Sequence, residues 1–474
     1  MAQDDIDAQC ANAPFEGPEK LLEIWFAPSV ADLPDASVAP ADGRCGLRKV
    51  KRETWEDMLE IVKCKVLSVV EGKEIDAYLL RWEKHLKSSF PKGSFNNAFY
   101  SESSLFVAPH RLILKTCGTT LNLLGLPRIL EIARSEANLP SVYRLFYSRK
   151  SFMFPERQLG PHREWKDEVQ YLDAIFRNGS AYTIGKVNGD HWLLYITAPG
   201  EDGPAETAPN SPVTLSPAPS ENEDVENHVD ASAEADELQT QDYTIEILMS
   251  QLSPEARKPF FSNYDSDSES SAEECSNDGI ALSSAIGISD IFPPHLTTLD
   301  AYTFTPCGYS SNALLKWGNA VNNEEFKYGS RQAAHSGGEG YFTIHVTPEE
   351  GWSYASFECN VPLRTHPSCQ QEDIPDLKTL IRRVVKIFQP GRLTLTLFIS
   401  SEDNNNAEDE EGETTSEAAQ RAFKAALTVP QISSPKSNGK NGCDGHGIRK
   451  YKRTDKINYE FGGYDLAFAS FELR

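Results

Sequence analysis

Tyr100-Ser101-Glu102-Ser103-Ser104-Leu105-Phe106-Val107 sets three serine hydroxyls and a carboxylate directly ahead of an apolar run. The next segment, Leu112-Ile113-Leu114-Lys115-Thr116-Cys117-Gly118, has strand character and ends on a cysteine followed by a glycine. Taken alone, a Ser-Glu-Ser-Ser cluster between apolar segments reads as a polar turn joining two strands. Upstream, residues 14–26 read as a short extended piece turning into a helix, with Leu22, Trp25 and Phe26 as its apolar stripe and Glu16, Glu19 and Glu23 on one face. Residues 27–44 read as a loop, 55–65 as amphipathic, and 71–97 as an insertion ahead of the serine cluster.

Downstream, residues 126–137 and 163–176 carry a helical period, and strands at 181–187 and 191–197 are bridged by Asn188-Gly189, a hairpin signal. Residues 198–241 are Pro, Ala, Ser and acid, too polar to bury a core, and are expected to be a disordered linker. Residues 243–249 read as a helix. Strands follow at 341–346, 353–360, 392–400 and 465–471, with a long helix at 377–388. Residues 262–280, 401–420 and 433–447 read as flexible insertions. The eye finds no exact internal repeat, only two halves of similar style, about 14–197 and 242–474.

The chain has 474 residues, 46 Lys and Arg against 70 Asp and Glu, and a formal net charge of −24. That balance argues against nucleic acid or an anionic membrane as partner, since either needs a basic face. Nine cysteines without C-x-x-C pairs suggest neither a disulfide framework nor a metal site. The N-terminus lacks a signal-peptide pattern, and no apolar run reaches the roughly 18 residues of a membrane helix. A cytoplasmic protein with reduced thiols is expected.

Four blocks decide the reading of function: Phe15-Glu16-Gly17-Pro18-Glu19-Lys20 with Glu23; the serine cluster through Cys117; Phe304-Thr305-Pro306-Cys307-Gly308-Tyr309-Ser310; and Tyr341-Phe342-Thr343-Ile344-His345-Val346-Thr347-Pro348-Glu349. In this order they resemble eukaryotic S-adenosylmethionine decarboxylases, pyruvoyl enzymes of polyamine synthesis. The amount of insertion suggests a fungal-type member. Decarboxylating an α-amino acid needs an electrophilic carbonyl that no standard side chain offers, and no complete Gly-rich phosphate loop for pyridoxal phosphate is seen. The resemblance implies a pyruvoyl group made by self-cleavage between Glu102 and Ser103. It also implies an α+β fold, a four-layer α/β/β/α sandwich of two mainly antiparallel sheets, forming one decarboxylase domain over 1–474.

By the same resemblance, Ser310 assists processing, His345 is the elimination base, Cys117 is the proton donor of turnover, and Glu16 and Glu19 are active-centre acids. Phe15 and Phe304 would sandwich the adenine of S-adenosylmethionine, Glu349 would take the ribose hydroxyls, and Glu102 would contribute to substrate binding. Putrescine is the expected activator, held by Glu23, Asp242, Thr244, Glu246 and Glu358, with Lys115, Phe146, Ser148, Phe398 and Tyr464 around them. No metal is expected, and the cleaved protomers are expected to form a homodimer. Rival readings are a non-catalytic paralogue that activates a true decarboxylase, a cysteine hydrolase using Cys117 and His345, and an interaction protein controlled by phosphorylation of its acidic serine runs.

Overall fold

A computed structural model of the chain describes residues 15–38, 44–82, 102–189, 191–199, 242–262, 272–318, 337–365, 374–400, 414–428, 450–461 and 463–474. Strands β1 (Lys20–Trp25), β2 (Cys64–Glu71), β3 (Asp76–Trp82), β4 (Glu102–Val107), β5 (Arg111–Thr116), β6 (Arg144–Lys150), β7 (Gly179–Gly185) and β8 (His191–Thr197) form one antiparallel sheet, in the order β2-β3-β4-β5-β1-β6-β8-β7. Strands β9 (Tyr243–Ser250), β10 (Thr297–Thr303), β11 (Tyr309–Gly318), β12 (Gly337–Thr347), β13 (Tyr354–Cys359), β14 (Arg392–Ser400), β15 (Tyr451–Phe461) and β16 (Tyr464–Leu473) form the other, in the order β10-β11-β12-β13-β9-β14-β16-β15. Raising each number in the first order by eight reproduces the second.

The helices repeat as well. α1 (Arg52–Ile61), α2 (Leu126–Glu136) and α3 (Trp165–Asp173) follow β1, β5 and β6, while α4 (Ala272–Ile286), α5 (Leu377–Phe388) and α6 (Thr415–Thr428) follow β9, β13 and β14. The two halves are thus one plan used twice. It escapes a search for repeated residues because a plan of this kind is set by alternation and turn positions, which many sequences satisfy.

Each sheet has one face on helices and the other on its partner sheet. Leu22, Ile24, Leu112 and Leu114 pack with Trp55 and Met58 of α1 and Ile129 and Ile132 of α2, whereas Leu21, Ile113 and Phe106 meet Leu314 and Tyr341 of the second sheet. In the second half Ile245, Ile247 and Met249 pack with Leu380, Ile381 and Val384 of α5 and Phe423 of α6. The result is the four-layer α/β/β/α sandwich.

Burial on both faces explains two misreadings. Residues 20–25 and 243–250 are strands, not helices, and both are central, β1 between β5 and β6 and β9 between β13 and β14. Leu21 and Trp25 of β1 and Leu248 of β9 face the opposite sheet, so apolar residues on both faces mimic a helical stripe, although 242–247 still alternates polar and apolar. Three supposed insertions also contain elements. β3 lies within 71–97, α4 begins within 262–280, and α6 begins within 401–420. Their acidic, small-residue openings resemble solvated loops, but Ala419, Ala422 and Phe423 of α6 and Leu282 of α4 pack on the second core. The linker at 200–241 and the stretch 433–447 lie outside the described residues.

Candidate active site

The bond between Glu102 and Ser103 lies at the start of β4, not in a turn. Ser103 pairs with Leu80 on β3 and Thr116 on β5, Thr116 pairs with Lys20 on β1, and Lys20 with Arg149 on β6. One row of the first sheet therefore carries the candidate cleavage serine and two basic residues. The Ser103 hydroxyl is fully buried and lacks an aligned hydrogen-bond partner. The thiol of Cys64 lies beside it, pushed up to about 12 by burial.

Alternation sends the next side chain to the opposite face. Ser104 Oγ donates to Asn312 Oδ1 at 2.7 Å and lies 3.0 Å from His345 Nε2 and 3.3 Å from Thr343 Oγ1. His345 is paired across the ladder with Ser310 on β11 and Ser356 on β13. The Ser310 hydroxyl, like that of Ser103, is fully buried without a partner. On the other side of the imidazole, Glu19 Oε1 stands 3.3 Å from Nδ1, at ion-pair distance though not aligned for a hydrogen bond. Burial lowers the His345 pKa below its ordinary value, with Glu19 opposing, so the ring is neutral at neutral pH. Glu19 also accepts from Tyr354 OH at 2.9 Å and from Ser356 Oγ. Burial alone would raise its carboxyl, but Lys115, His345 and Ser356 outweigh burial and hold it at about 2.

Glu16, Glu19 and Glu23 do not share a face. Glu19 and Glu23, four apart on an extended chain, point between the sheets. Glu16 instead accepts the backbone N–H groups of Met153 and Phe154, both at 2.7 Å, and burial raises its pKa. Its own carbonyl accepts from Gly118 N at 3.1 Å, which fixes the turn after Cys117. Gly118 has φ +62°, a left-handed conformation that a side chain would strain. Asn122 completes the anchor, donating from Nδ2 to the carbonyls of Lys20 and Leu114 at 3.3 and 3.1 Å and to Thr116 Oγ1 at 3.2 Å. Cys117 itself is buried. Phe15 N donates to Glu349 Oε2 at 2.7 Å, joining the first block to the last, and burial raises the Glu349 pKa. Phe304 packs with Leu79 and Tyr302.

The residues expected around a diamine meet between the sheets. Asp242, Thr244 and Glu246 share a face because β9 alternates, not because of a helix. Lys115 Nζ donates to Glu358 Oε2 at 2.7 Å and lies 3.9 Å from Glu246 Oε1, Tyr341 OH donates to Glu358 Oε1 at 2.7 Å, and Thr396 Oγ1 to Glu246 Oε2 at 3.2 Å. Nearby, Tyr464 OH donates to Asp242 Oδ2 at 2.8 Å and Trp25 Nε1 to Glu23 Oε1 at 2.8 Å. Phe146 and Phe398 meet Tyr464 edge-on at 5.2 and 6.4 Å, and buried Ser148 pairs with Leu21. Arg111, which the sequence reading passed over, stands 3.5 Å from Glu23 and 3.4 Å from Asp242. Its place at the start of β5, two strand repeats from Lys115, was the available signal. Four carboxylates thus face two fixed cations, and burial pushes Glu23 and Glu246 each up to about 7.

A buried hydroxyl without an aligned partner costs roughly 1–3 kcal/mol in desolvation; among the described residues Ser103, Ser310, Ser311 and Tyr243 carry one, and of these Ser103 stands at the candidate cleavage bond and Ser310 is paired with His345. Ser103 and Ser310 therefore fit a centre in which one hydroxyl is consumed and another assists, the donor set a serine-derived pyruvoyl requires. Comparison with known proteins agrees. The profile of the adenosylmethionine decarboxylase family matches residues 12–83 and 88–472. The S-adenosylmethionine decarboxylase proenzyme of Saccharomyces cerevisiae is 31% identical, covering 97% of this chain and 93% of the yeast protein. Those of Xenopus laevis and Drosophila melanogaster are each 32% identical, covering 96% of this chain and 95% of their own. The blocks, the doubled sandwich and these matches place the chain in the adenosylmethionine decarboxylase family.

Proposed function

We propose that the chain decarboxylates S-adenosylmethionine with a pyruvoyl group made from Ser103 by cutting its own backbone after Glu102. The observation that carries this is the buried Ser103 hydroxyl on one face of β4 with the neutral His345 imidazole on the other, flanked by Ser104 and by the buried hydroxyl of Ser310. Ser103 Oγ attacks the Glu102 carbonyl, a C–O bond replaces the peptide C–N bond, and Ser310 donates to the oxygen that gathers charge. His345 removes the α-proton of residue 103, the Cβ–Oγ bond of that residue breaks, and residues 1–102 leave with a carboxylate that keeps the oxygen, residue 103 becoming dehydroalanine. Hydrolysis then releases ammonia. The pyruvoyl supplies the electron-accepting carbonyl that lets carbon dioxide depart.

Around it, Cys117 gives a proton to the substrate's α-carbon. Phe15 and Phe304 flank the adenine and meet the sulfonium, contacts worth about 1 kcal/mol each. Glu349 holds the ribose hydroxyls, Glu16 and Glu19 orient the two sides of the centre, and Glu102 closes the substrate site. Putrescine binds between the sheets through Glu23, Asp242, Thr244, Glu246 and Glu358; the excess of buried carboxylate over cation supports this. The whole chain acts as one unit of two halves. The homodimer rests on the resemblance and is tested by sedimentation of the cleaved protein. A cytosolic location suits the six free cysteines among the described residues; no described helix is long and apolar enough to cross a membrane. The paralogue reading is disfavoured because Ser103, Cys117 and His345 are all present.

Intact mass tests the central claim. The parent protein should give two chains that divide between Glu102 and Ser103, and Ser103→Ala should stay whole. Cleavage of that variant at the same bond would overturn the proposal.

A further inference from the structure

Lys20 is the buried charge that the proposed chemistry leaves unused. Its side chain is 0% exposed. The ammonium donates to the Gly118 carbonyl at 2.8 Å and to Gln158 Oε1 at 3.5 Å, and lies 5.2 Å from the centre of the Phe152 ring. It forms no ion pair among the described residues. The carboxylates that could neutralise it are engaged elsewhere: Glu168 by Arg149 Nε at 2.8 Å, Tyr147 OH at 2.6 Å and His162 Nδ1 at 2.8 Å, and Glu16 by two backbone N–H groups. Burial pushes Lys20 down to about 8, while Glu168, Cys117 and Glu16 act in the opposite sense. An ammonium kept charged in such a place is costly unless an anion appears beside it. Two thiols feel its charge, those of Cys117 and Cys64, and Cys117 is the one whose turn it holds.

We infer that Lys20 is the positioning residue for Cys117, holding its turn through the Gly118 carbonyl and balancing the thiolate left when Cys117 gives up its proton. The inference rests on the proposed decarboxylase reading. In the step concerned the S–H bond breaks, its proton forms the C–H bond of the product, and its electron pair stays on sulfur. Solvent restores the thiol. Lys20 lies in the same row of the sheet as Ser103, two strands away, hence about 10 Å along the hydrogen-bonding direction.

The test reads the thiol rather than turnover. In Ser103→Ala protein, which carries no pyruvoyl, iodoacetamide labelling of the Cys117 peptide is followed against pH by mass spectrometry. Lys20→Met and Lys20→Gln should raise the labelling midpoint by about one pH unit or more, and Lys20→Arg should restore it. Gln keeps a donor for Gly118 without the charge, so it separates charge from tethering. Superimposed profiles in folded neutral variants would overturn the inference. If neither neutral variant folds, the parent chain decides: Cys117 must label with a midpoint well below that of Cys359, a buried thiol beside Glu358, and equal midpoints would overturn it. Failure of the decarboxylase reading would show separately, as an uncut parent chain.

Discussion

Ser104, not Ser103, touches the His345 imidazole at 3.0 Å, and this neighbour relation follows from strand alternation directly after the proposed scissile bond. The proposed base is thereby held close to the backbone of residue 103 while the hydroxyl proposed to attack lies on the other face. Because burial lowers the His345 pKa and Glu19 raises it, the pH midpoint of self-cleavage should lie below 6.5. Glu19→Gln should move it lower still, measured as cleavage rate against pH from 4.5 to 8; an upward move would remove Glu19 from this role. Cys117 belongs to turnover in the proposed reading. Cys117→Ala should still cut itself, yet lose decarboxylation by about 10²-fold or more, with pyruvoyl consumed by transamination. Turnover equal to the parent's would refute the assignment.

At the scale of elements, the central strands and the helix α4 carry the surprises. α4 opens with Ala-Glu-Glu-Cys-Ser-Asn-Asp and reads as a solvated loop, but packs on β10 so tightly that a side chain at Gly279 would stand 2.4 Å from the Ala301 carbonyl oxygen. Gly279→Ala should therefore lower stability by about 1–3 kcal/mol through overpacking, despite the better helix propensity of alanine. Urea unfolding of the cleaved protein would show it, and a stabilised variant would disprove the tight contact. α5 was legible throughout: Asp376 accepts from Thr379 N at 2.7 Å as its cap, one apolar stripe faces the core, and Gln389 at φ +44° ends it before Pro390.

Across the whole molecule, the sheets are joined by charge as much as by apolar packing. Two charged groups lie between them, Lys115 with Glu358 and Glu246 and Arg111 with Glu23 and Asp242, and the field of Lys115 reaches Glu19 beside His345. Glu23 and Glu246 have folded-state pKa values of about 7 against an ordinary 4.5, so they bind protons in the folded state that the unfolded chain has already lost. Stability from this source is full below 4.5 and falls as pH rises through 7. A dication between the sheets removes the penalty by favouring the charged carboxylates. The melting temperature without putrescine should drop between pH 6 and 8, and the increment given by millimolar putrescine should grow over the same range. Asp242→Val should lose that increment while still cutting itself; an increment that is absent in the parent, or unchanged in the variant, would remove the diamine from this site.

The sequence by itself determined the chemistry and the long amphipathic elements. Four blocks of contiguous residues carry the family resemblance, and strands or helices with one polar face, such as 392–400 and 377–388, announce themselves by period. Tertiary structure alone decided what depends on two buried faces or on distant partners. β1 and the end of β9 carry apolar residues on both faces because Leu21, Trp25 and Leu248 pack against the opposite sheet. The same geometry turns Glu16 away from Glu19, gives His345 to Ser104, and sets Arg111 between Glu23 and Asp242. It also leaves Lys20 charged beside Cys117, because the acids that could pair with it are held by other residues, a fact of three-dimensional competition that no local pattern records.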